Sequence, residues 1–248
     1  MSSKSETGHA VNVANFNELI SFVTGYGEAY NPSNEAIAVP ALQTVATEST
    51  STLDAIYTAQ GPYNNAVAAR EVVFDPLSKL VTRVMNMLKV SGVSKEVYDS
   101  VNTVARKIKG QRATPKATEP ENGEESEETT ETKTRSTSQM SYDSREENFA
   151  KFIQLLSAIP EYAPNEVELQ IATLTALSTE LQAKNSAVIN AEVPLSNARI
   201  QRNSVLYAPA TGLVETAGNV KTYVKAIFGA TSPQYKQISK LRFVKITS

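Results

Sequence analysis

Hydrophobic residues recur along this chain at steps of three and four, and the whole recurrence occurs twice. Phe16, Leu19, Ile20 and Val23 mark one face of a helix from about Ala14 to Thr24, and Phe149, Phe152, Ile153 and Leu156 repeat that stripe. A longer stripe follows each. It runs through Ile37, Leu42, Val45, Leu53, Ile56, Tyr63 and Phe74, then again through Val167, Ile171, Leu174, Leu181, Val188, Leu195 and Leu206. Asn31 to Asn34 offers capping side chains to the first long helix. For the second, Asn165 is the expected N-cap and Glu168 its capping-box partner. Each long stripe holds a proline, in Gly61-Pro62 and Val193-Pro194. An interior proline removes one hydrogen bond and crowds the preceding turn. The stripe is therefore either one kinked helix or two helices, and retention of proline at the same place in both halves favours the kink.

A third helix carries Leu77, Leu80, Val81, Val84, Met85 and Leu88, and its twin carries Leu213, Val214, Ala217, Val220, Val224 and Ile227. This segment is four residues longer in the second half, about one helical turn, which would lengthen the helix with little rotation of its apolar face. Gly92 and Gly229 are expected to end these helices. Ser94 and Ser232 are natural N-caps for a fourth, with Pro233 at its first turn. Leu241 to Ile246 alternate, so they suit either the end of that helix or a short strand.

The register of the repeat is clearest where Asn64–Phe74 meets Ser196–Tyr207. Asn65 falls on Asn197, Ala66 on Ala198, Arg70 on Arg202 and Val73 on Val205; further on, Pro76-Leu77 runs beside Pro209-Ala210 and Leu80-Val81 beside Leu213-Val214. The chain reads as a tandem duplication. The expected fold is all-α: two related bundles of about four helices each, over 13–109 and 145–248. Between them, 110–144 contains no Leu, Ile, Val or Phe and reads as a disordered acidic linker. Residues 1–12 read as a disordered tail.

Charge adds an asymmetry that the overall −2 conceals. Residues 1–109 carry a net −1, 110–147 a net −5 and 148–248 a net +4. With 41% apolar and 20% charged residues, the composition is that of an ordinary globular protein. There is no Cys, which excludes disulfides, cysteine nucleophiles and thiolate metal sites. The single histidine, His9, is expected to be a solvated tail residue. The amino terminus lacks the apolar core of a signal peptide, and no window is apolar enough for a membrane-spanning helix, so a cytoplasmic location is expected.

The run Val220-Lys-Thr-Tyr-Val-Lys-Ala-Ile-Phe-Gly-Ala-Thr-Ser-Pro-Gln-Tyr-Lys-Gln-Ile-Ser-Lys-Leu-Arg-Phe243 resembles a signature of uncharacterised all-helical bacterial proteins. The resemblance covers both copies but not the linker. The first copy departs from it at Met87-Leu88-Lys89 and Lys95-Glu96. It implies a duplicated helical architecture and brings no activity.

Two constellations stand out. Asn65 with Arg70, and Asn197 with Arg199 and Arg202, place guanidinium groups on apolar helices, where a buried charge requires a partner. They make either a polar pocket gripping a carboxylate or phosphate, one per copy, or a structural network in which Arg bonds to carbonyls freed by the kink or to Glu48 or Asp54 in the first copy and Glu180 or Glu192 in the second. The second constellation is a basic face of Lys221, Lys225, Lys236, Lys240, Arg242 and Lys245, interleaved with Tyr223, Phe228, Tyr235 and Phe243. Cations on phosphates with aromatics on bases would suit nucleic acid. No paired carboxylates, Glu-x-x-His spacing or glycine-rich phosphate loop is visible. The expected function is therefore a non-catalytic protein-interaction or scaffolding protein with a protein partner or self-association, and no catalytic residue, metal or cofactor. Nucleic-acid or anionic-surface binding through the second copy is the alternative.

Overall fold

The computed structural model describes residues 7–111 and 140–246. Among them the regular structure is entirely helical: α1 (Thr7–Gly25), α2 (Val39–Phe74), α3 (Leu77–Val90), α4 (Lys95–Ile108), α5 (Tyr142–Ser157), α6 (Ile171–Tyr207), α7 (Leu213–Phe228) and α8 (Pro233–Ser239). Apart from a further 3-10 turn at Gly27–Ala29 in the first half, one order occurs twice: a helix, a 3-10 turn, a long helix containing a proline, and two shorter helices. The 3-10 turns, Glu35–Ile37 and Val167–Leu169, are each locked by the same bond. Tyr30 Oη donates to the Ile37 carbonyl at 2.6 Å, and Tyr162 Oη to that of Leu169 at 2.8 Å.

Both long helices run unbroken through Pro62 and Pro194. The prolines are exposed, as are Thr58 and Asn190, whose carbonyls lose a helical donor, so water can supply the missing bond. A helix of 36 residues is about 54 Å long. Its far half cannot return to the helix that precedes it, and this decides the packing. The described residues form two compact units, one within Met1–Asn64 and Asn190–Ser248, the other within Asn65–Ile189. They do not follow 13–109 and 145–248. Each is assembled from half of both segments.

Unit 1 combines α1, the first part of α2, the last part of α6, α7 and α8. Its core holds Phe16, Leu19, Val23 and Leu42 beside Leu206, Leu213, Val220, Val224 and Ile238. Unit 2 combines the last part of α2, α3, α4, α5 and the first part of α6. Phe74, Leu77, Val84, Leu88, Val101 and Ile108 there meet Phe149, Phe152, Leu156, Leu174 and Leu181. Each stripe read from the sequence is thus buried, but against elements from the opposite end of the chain.

Several local expectations change. The tail expected over 1–12 lies partly outside the described residues, but 7–12 belong to α1. Most of the linker expected over 110–144 also lies outside them, yet Ser141 already caps α5 by accepting from the Ser144 amide at 3.1 Å. Neither Asn165 nor a capping box opens α6. A 3-10 turn intervenes, and Glu168 instead pairs with Arg83 at 2.6 Å. Asn34 does cap its turn, accepting from the Ala36 amide at 3.0 Å, and Ser232 caps α8.

The extra residues of the second half do not form a helical turn. Leu77, Val81, Val84 and Leu88 are buried in α3, and Leu213, Ala217, Val220 and Val224 at the same spacing in α7. Leu77 therefore matches Leu213, not Ala210, and three of the extra residues lie in the Tyr207–Leu213 connector. That connector needs Ala210 at φ 66 and Gly212 against the chain, where a Cβ would sit 2.6 Å from the Ala208 amide nitrogen. Residues 241–246 are neither helix nor strand.

Candidate functional site

Arg70 and Arg202 end two buried stripes of period seven. Leu42, Ser49 and Ile56 lead through Tyr63 to Arg70; Leu174, Leu181, Val188 and Leu195 lead to Arg202. The partners seen are amides and rings rather than Glu48, Asp54, Glu180 or Glu192, all of which are exposed. Arg202, only 2% exposed, donates from Nε and a terminal nitrogen to Asn203 Oδ1 at 3.1 and 2.8 Å. Arg199 donates to Gln60 Oε1 at 3.3 Å. Asn65 and Asn197 are exposed. The two sets lie apart, one in each unit: Asn65 and Arg70 belong to unit 2, and Asn197, Arg199 and Arg202 to unit 1.

In unit 2, Arg70 meets residues that the sequence left inside the linker edge. Its guanidinium carbon is 4.0 Å from the Tyr142 ring centroid, Tyr142 meets Phe74 edge to face at 4.9 Å, and Arg145 lies 5.5 Å over Phe74. Arg145 also donates to the Phe74 carbonyl at 3.2 Å. Burial pulls the Arg145 pKa down, against Tyr142 and Asp75, which hold it up. Cation, ring, ring and cation form a ladder between α2 and α5, with each charge resting on a π face. The signal for it was Ser141-Tyr142, a cap and an aromatic closing a run otherwise without a core.

The corresponding place in unit 1 overturns the expectation for His9. It is buried, its Nδ1 2.7 Å from Tyr207 Oη. Asn12, one turn on, donates to the same hydroxyl at 3.2 Å. Its amide also grips Val244 from both sides, donating to the carbonyl at 2.8 Å and accepting from the amide nitrogen at 3.0 Å. Asn15 donates to the Arg242 carbonyl at 2.7 Å, Phe243 meets Phe16 edge to face, and the end of the Ile246 side chain lies over Gly8. Residues 241–246 are thus an extended strap along α1. Side chains replace the ladder partners a strand would need, which is why neither helix nor strand forms.

The basic residues divide. Lys221 is half-buried, donates to the Leu241 carbonyl and lies 5.1 Å over Phe243; burial lowers its pKa. Lys225, Lys236, Lys240, Arg242 and Lys245 are exposed. Tyr223, Phe228, Tyr235 and Phe243 lie against the unit 1 core, and Tyr26 Oη donates to the Gln234 carbonyl at 3.0 Å. Two open grooves flank α2 in unit 1. One, of about 590 Å³, is lined by Asn17, Ser21, Gln43, Thr47, Thr50 and Asp54 among others; the second adjoins Glu48, Ala198 and Gln201. Among the described residues there is no group of His, Asp or Glu placed to hold a metal, and no helix is long and apolar enough to cross a membrane. No protein-family model, curated protein or solved structure matches this chain, so the reading rests on its own geometry.

Proposed function

We propose that this is a non-catalytic interaction or scaffolding protein, a tandem duplication whose long helices present a docking face to a protein partner. The observation that supports this most is apolar exposure on the long helices of unit 1. Tyr57 of α2 and Val193 and Ile200 of α6 are 54%, 53% and 64% exposed, although the same helices bury Leu42, Leu53, Ile56, Leu195 and Leu206. Val193 and Ile200 are seven apart, and so on one side of α6. Scattered apolar residues are ordinary on a surface, but a one-sided set on a helix with a complete core serves an additional contact.

The test is the pair Val193→Ser and Ile200→Glu. Each is expected to leave the melting temperature within about 2 °C, since neither side chain is in the core. Together they should abolish co-purification of a discrete, nuclease-resistant protein or dissociate a self-association seen by sedimentation. A wild-type protein that stays monomeric and alone, or that turns over a substrate, would refute the reading.

A further inference from the structure

The exposed cations of unit 1 carry an inference independent of that docking face. From Thr216 to the end of the chain there are six Lys or Arg and no Asp or Glu. The elements bearing them adjoin one another: Lys225 lies 5.9 Å over Tyr235, joining α7 to α8, and Lys221 ties the strap to α7 through Leu241 and Phe243. The ion pairs among the described residues are Arg83–Glu168 and Lys151–Glu147. The exposed cations are therefore unneutralised. Glu18 on α1, Glu28 after it, Glu35 on the 3-10 turn packed against α7 and Glu215 at the start of α7 are the carboxylates on the elements packed nearest, and all are exposed.

The aromatics decide which polyanion fits. Single strands are gripped by stacking bases on aromatic faces. Here Tyr223, Phe228, Tyr235 and Phe243 are partly buried against the core, with Lys221 and Lys225 over two of the rings, so no free aromatic face is offered to a base. Stable binding to a membrane surface adds apolar insertion to the attraction of the cations. The large apolar side chains exposed on these elements are only Ile227 and Val244. What remains is charge alone, and duplex nucleic acid offers one phosphate charge per about 1.7 Å of axis.

We infer that Lys225, Lys236, Lys240, Arg242 and Lys245 form a surface that binds duplex nucleic acid through its phosphates, without reading bases. Lys221 anchors the strap and stands outside it.

The test is fluorescence anisotropy of the full chain with a labelled 20-base-pair duplex between about 50 and 200 mM NaCl. Five phosphate contacts give a slope of log affinity against log salt of about −4.5, or roughly 500-fold weakening over that range. The double variant Lys236→Gln, Lys240→Gln should flatten the slope to about −2.7. A scrambled duplex should bind within about twofold of the original. A slope shallower than about −1, an unchanged slope in the double variant, or strong preference for one sequence would each overturn the inference. Binding to phosphatidylserine vesicles without binding to duplex would overturn it in favour of a membrane surface. Circular dichroism of the variant, expected to match wild type, excludes misfolding as the cause of any loss.

Discussion

Replacing Asn12 by alanine tests whether the carboxy-terminal strap is a latched element. Asn12 makes three hydrogen bonds, two with the backbone of Val244 and one with Tyr207 Oη. At a net contribution of about 0.5–1.5 kcal/mol each, they amount to about 1.5–4.5 kcal/mol. Val244 is 57% exposed, so water can satisfy its freed amide and carbonyl, and His9 still holds Tyr207. The loss should therefore fall near 2–3 kcal/mol. It should appear as local opening before global unfolding, because the strap belongs to no helix. With tenfold per 1.4 kcal/mol, the open population rises about 30- to 150-fold. Trypsin reports it directly. The bond after Arg242 is protected because its carbonyl accepts from Asn15 at 2.7 Å, and cleavage there should accelerate by the same factor when opening is fast relative to cutting. Acceleration below about threefold, with an unchanged melting temperature, would refute the latch.

Two further outcomes follow from buried polar groups. Tyr30→Phe and Tyr162→Phe should each cost about 1–2 kcal/mol by chemical denaturation, since each removes the bond that locks a 3-10 turn. Burial, with a smaller push from Glu166, raises the Tyr162 pKa to about 12, and burial with Tyr223 raises Tyr30 further still. Both lie above the unfolded value near 10. Their stabilisation is therefore complete below pH 10 and is lost as pH rises above about 10, through about 12 for Tyr162 and beyond that for Tyr30, a loss that each Phe variant should reduce in a pH-dependent melt. Arg202→Ala should cost about 3 kcal/mol in a urea titration, because it opens a cavity and strips Asn203 of a charged partner; an unperturbed midpoint would argue that the guanidinium serves a ligand instead.

How far the sequence could be read depended on the range of the interaction involved. The stripes through Phe16, Leu53, Leu88 and Phe152 were legible because periodicity records which face of a helix avoids water, whatever covers it. Ser94 and Ser232 were legible because a cap acts over three residues. His9, Asn12, Tyr142 and Arg145 were not. None continues an apolar stripe, and the partner of each lies from 68 to 232 residues away, as in Asn12–Val244 and Phe74–Tyr142. The arginines were recognised as needing partners, but amide and ring partners leave no charge pattern of the kind a carboxylate would.

The sequence alone thus determined that the chain is helical, that its pattern recurs, where each helix turns its apolar side, and that cations accumulate toward the carboxy terminus. The tertiary structure alone decided which half of the chain covers which. The physical reason lies at Pro62 and Pro194. Periodicity cannot distinguish a helix that continues through an exposed proline from one that reverses there, and the two outcomes send the same apolar stripes to different partners. Continuation places Leu42 with Leu206 and Phe74 with Leu174, so each compact unit is completed by the other half of the chain.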